Sequence, residues 1–287
     1  MKCIHHNDSD GFCAAAIVHK FWPSLGEYHA MGYGMEVPFD PTNETVVMVD
    51  FSLQPFDKMI ELSKVCKGLL WIDHHASSLE NYEKRGSEFP KDKIIDIVLK
   101  DGLAGCELAW KYFSDKRMPK AVQWIGRYDV WDHEDPRVIP FRYGLDRIDT
   151  RLEKFDWEKL FDDESLVVQD TYENGRLIYE YQQEQDRRLM RHAFEVELGG
   201  LKLLAINKGN CGSLTFGSIW DNTRWDGMIV FSFQGSYWHF SMFTDKEGVD
   251  ILGIAKANGG GGHVQACGFE VGTDFVNDLL ATAKEVK

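Results

Sequence analysis

Residues 65–72 are mostly apolar and run directly into Asp73-His74-His75. A short apolar run of this kind predicts a buried strand of a parallel sheet. In open α/β sheets the C-terminal edge of the strands is where ligands bind. One carboxylate and two imidazoles at that edge offer oxygen and nitrogen donors that suit a divalent transition metal. The same tripeptide would also serve as a capped helix start with surface histidines, so the reading depends on whether other strands end alike. Two do. The strand predicted over 45–49 (Thr-Val-Val-Met-Val) ends in Asp50, and the one predicted over 2–5 leads into His6-Asn7-Asp8-Ser9-Asp10-Gly11.

In that first motif His6, Asp8 and Asp10 alternate, and an extended segment turns i, i+2 and i+4 to one side. Gly11 is read as a tight turn into a helix over 12–22. A helix cap needs one acid, not three ligands, although Asp8 or Asp10 could supply it. His5 falls on the opposite face of the strand. The unit 45–73 has the length of a βαβ crossover, with its helix over 55–66. Further strands are expected over 27–31 and 94–99, with helices over 104–113 and from 121 to about 133. That last helix carries Asp129, Asp132 and His133 beside aromatic residues. Residues 135–143 contain two prolines and read as irregular; a short helix is expected over 155–161.

The stretch 166–194 reads as a long charged helix bridging two domains, 1–165 and 195–287. It leaves room for a homodimer, which nothing in its pattern requires. The second domain should be a smaller α/β unit: a hairpin over 194–207 turning at Gly199-Gly200, strands over 228–233 and 236–243, and a helix over 249–257. Asn258-Gly259-Gly260-Gly261-Gly262-His263 follows. Four glycines in a row stabilise neither helix nor strand, but they let backbone N–H groups approach an anion closely. Gly260, Gly261, Gly262 and His263 are therefore candidate phosphate contacts.

A net charge of −14 argues against a protein that grips long duplex DNA through many phosphates. The six cysteines, at 3, 13, 66, 106, 211 and 267, form no CxxC pair, which predicts reduced thiols and a cytoplasmic setting. No stretch approaches the roughly 20 apolar residues of a membrane helix.

Together these motifs resemble the DHH phosphoesterase superfamily, in the branch with a DHH-associated C-terminal domain. The matching pieces are His6-Asn7-Asp8-Ser9-Asp10-Gly11, Asp50 after a Val-rich strand, Asp73-His74-His75, Asp129 in Arg-Tyr-Asp, and the Gly260-Gly261-Gly262-His263 loop. They occur in the family's order, and the first looks most like that of the oligoribonuclease ("nanoRNase") members. Family II pyrophosphatases place the first histidine further from the first aspartate and lack the glycine loop.

The resemblance implies a parallel-sheet DHH domain, a connecting helix, a smaller C-terminal domain and a cleft between them. It implies one ion on His6, Asp8 and Asp50 and a second on Asp10, Asp50, His74 and Asp129, with Asp50 bridging; Asp132 and His133 are the alternatives to Asp129. The family's usual metal is manganese, with magnesium or cobalt as substitutes. His75 would contact the scissile phosphate. The chain departs from the family where many members carry a phosphate-reading arginine; here Lys246 in Thr244-Asp245-Lys246 is the nearest cation. The function implied is a two-metal phosphodiesterase releasing 5′-mononucleotides from short single-stranded oligonucleotides or linear dinucleotides. Its rivals are a phosphatase for 3′-phosphoadenosine 5′-phosphate, a single-strand DNA exonuclease, and a catalytically idle nucleotide-binding protein.

Overall fold

The computed structural model describes residues 1–286. The chain divides into two compact units, Met1–Tyr179 and Glu180–Lys287.

The first unit contains β1 (Lys2–His6), α1 (Ser9–Phe21), β2 (Glu27–Met31), β3 (Thr45–Val49), α2 (Asp57–Val65), β4 (Gly68–Asp73), α3 (Ala76–Arg85) and β5 (Ile94–Leu99). Then come α4 (Gly105–Phe113), α5 (Lys120–Asp129), α6 (Val138–Leu145) and α7 (Glu158–Phe161); α8 (Leu166–Leu189) crosses the division. The strands form one parallel sheet in the order β2-β1-β3-β4-β5. Side chains of a strand alternate between faces, and here both faces are apolar. Val47, Val49, Leu70 and Ile72 join one core with Ala14, Ile17, Ala109 and Ile125. Val46, Met48, Leu69 and Trp71 join another with Met59, Ile60 and Phe89. Continuous apolar strands thus follow from two covered faces. The strand order reverses between β1 and β3, and a crevice at the carboxyl ends of the strands is the usual result.

The second unit holds β6 (Phe194–Leu198), β7 (Leu201–Asn207), β8 (Gly227–Phe233), β9 (Trp238–Phe243), α9 (Ile251–Ala257), β10 (Gly261–Gly262), β11 (Ala266–Val271), α10 (Thr273–Leu280) and β12 (Lys284–Glu285). Its mixed sheet has the order β10-β11-β9-β8-β7-β6-β12. α9 and α10 pack Ile251, Ala255, Val276 and Leu279 on the face that carries Phe231, Phe240 and Phe269. No helix among the described residues is long and apolar enough to cross a membrane. The six cysteines are free thiols.

Four local expectations need correction. α1 begins at Ser9, so Gly11 lies in its first turn and makes no separate bend. Glycine is needed there because a Cβ would fall 2.1 Å from the His6 carbonyl oxygen. Residues 138–145 form α6 despite Pro140, which sits in the first turn, where a missing N–H costs no intrahelical bond. The helix expected over 166–194 ends at Leu189, and a 3₁₀ turn (Met190–His192) follows. The glycine stretch is not an open loop: Gly261 and Gly262 pair with Gly268 and Cys267 as an edge strand.

Candidate metal centre

The ends of β1, β3 and β4 lie side by side and carry the expected ligands. Asp8 is the N-cap of α1: its Oδ1 accepts from the Gly11 N–H at 2.9 Å. Its Oδ2 lies 2.5 Å from His6 Nδ1. Capping and ligation, alternatives in the sequence, use different oxygens of one carboxylate. Asp50 is 1 % exposed and adopts φ +54°, a conformation uncommon outside glycine and asparagine. From β4, His74 Nε2 lies 3.2 Å from Asp50 Oδ1, 3.2 Å from Asp129 Oδ2 and 3.8 Å from Asp10 Oδ2.

Asp10 is held by a feature the sequence did not disclose. The N-terminus of α4 donates from Gly105 N–H to Oδ2 (2.7 Å) and from Cys106 N–H to Oδ1 (2.8 Å). A carboxylate suits the positive end of a helix. Glu107 ties α4 to α5, accepting from Ala104 N–H at 3.1 Å and from Arg127 Nη2 at 2.8 Å. The same pair sets the end of α5, where Asp129 sits. Gly105 admits no side chain, since a Cβ would lie 2.4 Å from Asp50 Cβ. Gly105→Ala should therefore displace Asp50 and destabilise the unit by about 1–3 kcal/mol. Thermal melts with and without manganese check this: a lower Tm and loss of the manganese-induced rise are expected.

Asp73 is fully buried, and its carboxylate is taken up by bonds to its own loop and to α3. It accepts from His74 N–H (2.8 Å), from His75 Nδ1 (2.6 Å) and from Ser78 Oγ (2.5 Å). Burial alone would raise its pKa, but the His75 and Ser78 bonds keep it below the usual carboxylate range. Asp73 thereby orients His75, a role its place in the motif did not reveal. Tyr33 stacks on Phe51 at 5.4 Å and lies 5.5 Å from His6.

Three overlapping groups of donors converge: His6, Asp8 and Asp50; Asp10, His74 and Asp129; and Asp50, His74 and His75. Burial, followed by the charge of Asp129, pushes Asp10 up to about 6. Burial and the charges of Asp10, Asp8 and Asp129 raise Asp50 well above the carboxylate range. Burial opposes charge on His74, yet Asp129 and Asp10 prevail and raise it to about 9. His6 Nδ1, both Asp50 oxygens and His74 Nε2 are buried, and the polar atoms nearest them belong to the same cluster: Asp8 Oδ2 for His6, Asp50 Oδ1 and Asp129 Oδ2 for His74. Buried polar atoms are normally paired. Here the donor atoms of each group lie within 4.8 Å of one another, and a mixed carboxylate–imidazole set fits a divalent ion such as manganese.

The runner-up ligands stand apart. Asp132 pairs with Arg127 at 3.2 Å, and His133 packs against Trp131 and Tyr128. His5 is buried against Phe12, with burial holding its pKa down to about 4.

The second-unit candidates are only partly available. Lys246 Nζ lies 2.9 Å from Asp226 Oδ1 and 3.3 Å from the Trp225 carbonyl oxygen, so its charge is already matched. The Gly260 N–H donates to Ala255 O (2.9 Å) and the His263 N–H to Ala266 O (2.7 Å). Ala266 N–H returns a bond to His263 O at 3.3 Å, which makes that pair a hydrogen-bonded one. In an antiparallel ladder the next pair, Gly262–Cys267, is then non-bonded. Of the expected anion-binding amides, Gly262 is left facing outward, with the exposed His263 side chain beside it. The glycines are required for close packing, since a Cβ on Gly260 would lie 2.1 Å from Gly268 O.

No family model matches the chain. The uncharacterized protein R106 of Acanthamoeba polyphaga mimivirus is 24% identical over 292 residues, which cover 92% of this chain. The chain spans 65% of the length of that relative. Among solved structures, the pGpG-specific phosphodiesterase PggH from Vibrio cholerae aligns over 98% of this chain and 96% of its own, with 14% identity and a TM-score of 0.55. Exonuclease RecJ bound to manganese aligns over 98% of this chain and 88% of its own, with 13% identity and a TM-score of 0.48. The chain has the fold of the first of these proteins, and the α/β architecture implied by the resemblance is the one found.

Proposed function

We propose that the protein is a metal-dependent phosphodiesterase of the DHH type, acting on short single-stranded oligonucleotides or linear dinucleotides and releasing 5′-mononucleotides. The observation that carries this reading is the convergence of buried Asp50, His6 and His74 donor atoms at adjacent strand ends. Asp8, Asp10 and Asp129 complete two donor groups, and Asp50 lies within reach of both. The pGpG-specific activity in the name of PggH supports the dinucleotide end of the substrate range.

His6, Asp8 and Asp50 would hold one ion, and Asp10, Asp50, His74 and Asp129 a second. When bound, a pair of such ions polarises a phosphoryl group and supplies a nucleophile near neutral pH. The aspartates act as ligands in this scheme and not as an acid–base pair. His75, held through Nδ1 by Asp73, would present its Nε2 to a phosphate oxygen. The rigid sheet edge fixes these groups before substrate arrives, which is the positional requirement for phosphoryl transfer. In the second unit, taken by itself, the Gly262 amide and the His263 ring are groups of the kind that hold a phosphate.

A panel of pGpG, a five-nucleotide RNA, single-stranded DNA, a cyclic dinucleotide and 3′-phosphoadenosine 5′-phosphate, each with manganese, tests the reading. Turnover of the RNA or the linear dinucleotide to 5′-mononucleotides is expected. Turnover of 3′-phosphoadenosine 5′-phosphate alone would make the protein a phosphatase, and preference for DNA would make it a DNA exonuclease. Turnover of none would leave an idle nucleotide-binding protein.

A further inference from the structure

The C-terminus of α5 closes in an unusual way two residues beyond Asp129. Asp132 N–H bonds to Arg127 O at 2.8 Å and Trp131 N–H to Tyr128 O at 3.2 Å. These are the two bonds of a Schellman cap, in which the residue at the Trp131 position adopts left-handed backbone and is usually glycine. Trp131 has φ +59°. Among the described residues, four other than glycine have positive φ: Asn43, Asp50, Trp131 and Asn210. Asparagine tolerates this region, and Asp50 is a proposed ligand. Trp131 is the bulky exception, and strain retained beside a site points to use of the side chain.

The tryptophan is not kept for packing, because it is 55 % exposed. Its ring lies 4.5 Å from His133 and 6.1 Å from Tyr128, and Arg142 stands over Tyr128 at 5.4 Å. One side is thus backed by aromatic rings while much of the surface stays open to solvent. Two residues of chain span at most about 7 Å, so the backbone of Trp131 is tethered close to that of Asp129.

We propose that Trp131 is a stacking platform for a nucleobase of the substrate and so selects nucleotides over other phosphodiesters. The inference rests on the proposed phosphodiesterase reading for the scissile bond, but the platform itself requires only that a nucleotide bind. An exposed aromatic face accepts any base, because every base has a π-face. The expected outcome is therefore tolerance of sequence together with a strong requirement for a base.

The test is Trp131→Gly, read by three measurements. Glycine suits the left-handed position, so the Tm should hold or rise. KM for pGpG should rise roughly five- to hundred-fold, with kcat changed far less. Calorimetry on manganese-loaded protein should show 5′-AMP binding more tightly than ribose 5-phosphate in the parent, and the two binding alike in the variant. Trp131→Phe should recover part of the difference. A lowered Tm with unchanged KM and unchanged AMP preference would overturn the proposal and make Trp131 structural. Loss of AMP preference in the variant of a protein that cleaves no phosphodiester would uphold the platform while rejecting the phosphodiesterase reading.

Discussion

Replacing Asp50 with asparagine is expected to reduce hydrolysis below about a thousandth of the parent rate while leaving the fold intact. Among the described residues, Asp50 is the carboxylate within reach of both donor groups: its oxygens lie 3.2 Å from His74 Nε2 and 4.0 Å from His6 Nδ1. The amide keeps the size but surrenders the charge and one oxygen ligand. Asparagine accepts the positive φ of +54° at this position at least as readily as aspartate does. It also removes a buried, repelled charge, so the metal-free variant should melt at the same temperature as the parent or higher. Rates on pGpG, circular dichroism and metal-free melts are the measurements. Full activity in the variant would reject the assignment of this cluster as the reacting site.

The second large effect is a pH-dependent response to metal. In the metal-free protein, burial and Asp129 hold Asp10 up at about 6, and burial and neighbouring carboxylates hold Asp50 well above its ordinary value. The folded state therefore binds more protons than the unfolded chain, and stability falls as pH rises from about 4 through about 6. His74, raised to about 9, is charged in both states below about 6 and leaves that window unaffected. Saturating manganese should restore what the carboxylates lose. At a hundred times Kd the gain is about 2.7 kcal/mol per site, or roughly 5–10 °C in Tm for a unit of this size. The manganese-induced rise should be larger at pH 7 than at pH 5, because bound metal must displace protons. Melts in chelator and in manganese across that range check it, against Asp10→Asn/Asp50→Asn as the variant whose slope in this window should flatten. Identical slopes in parent and double variant, with no manganese response in either, would count against an ion trap.

The parts of this site that were legible in the sequence share a physical cause. A parallel strand covered on both faces has no use for an acid at its end, so Asp50 and Asp73 stood out from the apolar runs before them, Val46 to Val49 and Leu69 to Ile72. What was illegible depends on contacts distant along the chain. The α4 N–H groups that hold Asp10 lie 95 and 96 residues away, and no local pattern around Gly105 announces them. Asp73 could be read with His74 and His75 as a metal donor or as part of a capped helix start, and its part as the anchor of His75 shows only in the direction of its side chain. The glycine stretch was read as an anion cradle because glycine serves two ends, approach to a ligand and approach to other backbone. Gly260 serves the second, against Gly268. Pro140 suggested irregular chain because its position within a helix turn is invisible until the helix start is known.

The tie between Asp10 and the start of α4 bears on how the protein is made. During synthesis, His6, Asp8 and Asp10 emerge from the ribosome long before Gly105, Cys106 and Asp129 do. Until those later residues dock, Asp8 has its local cap to Gly11 but Asp10 has nothing to fix its direction, and the cluster is incomplete. On the proposed reading, selective loading with an ion would therefore follow translation of the first unit, when the geometry rather than the order of arrival can choose.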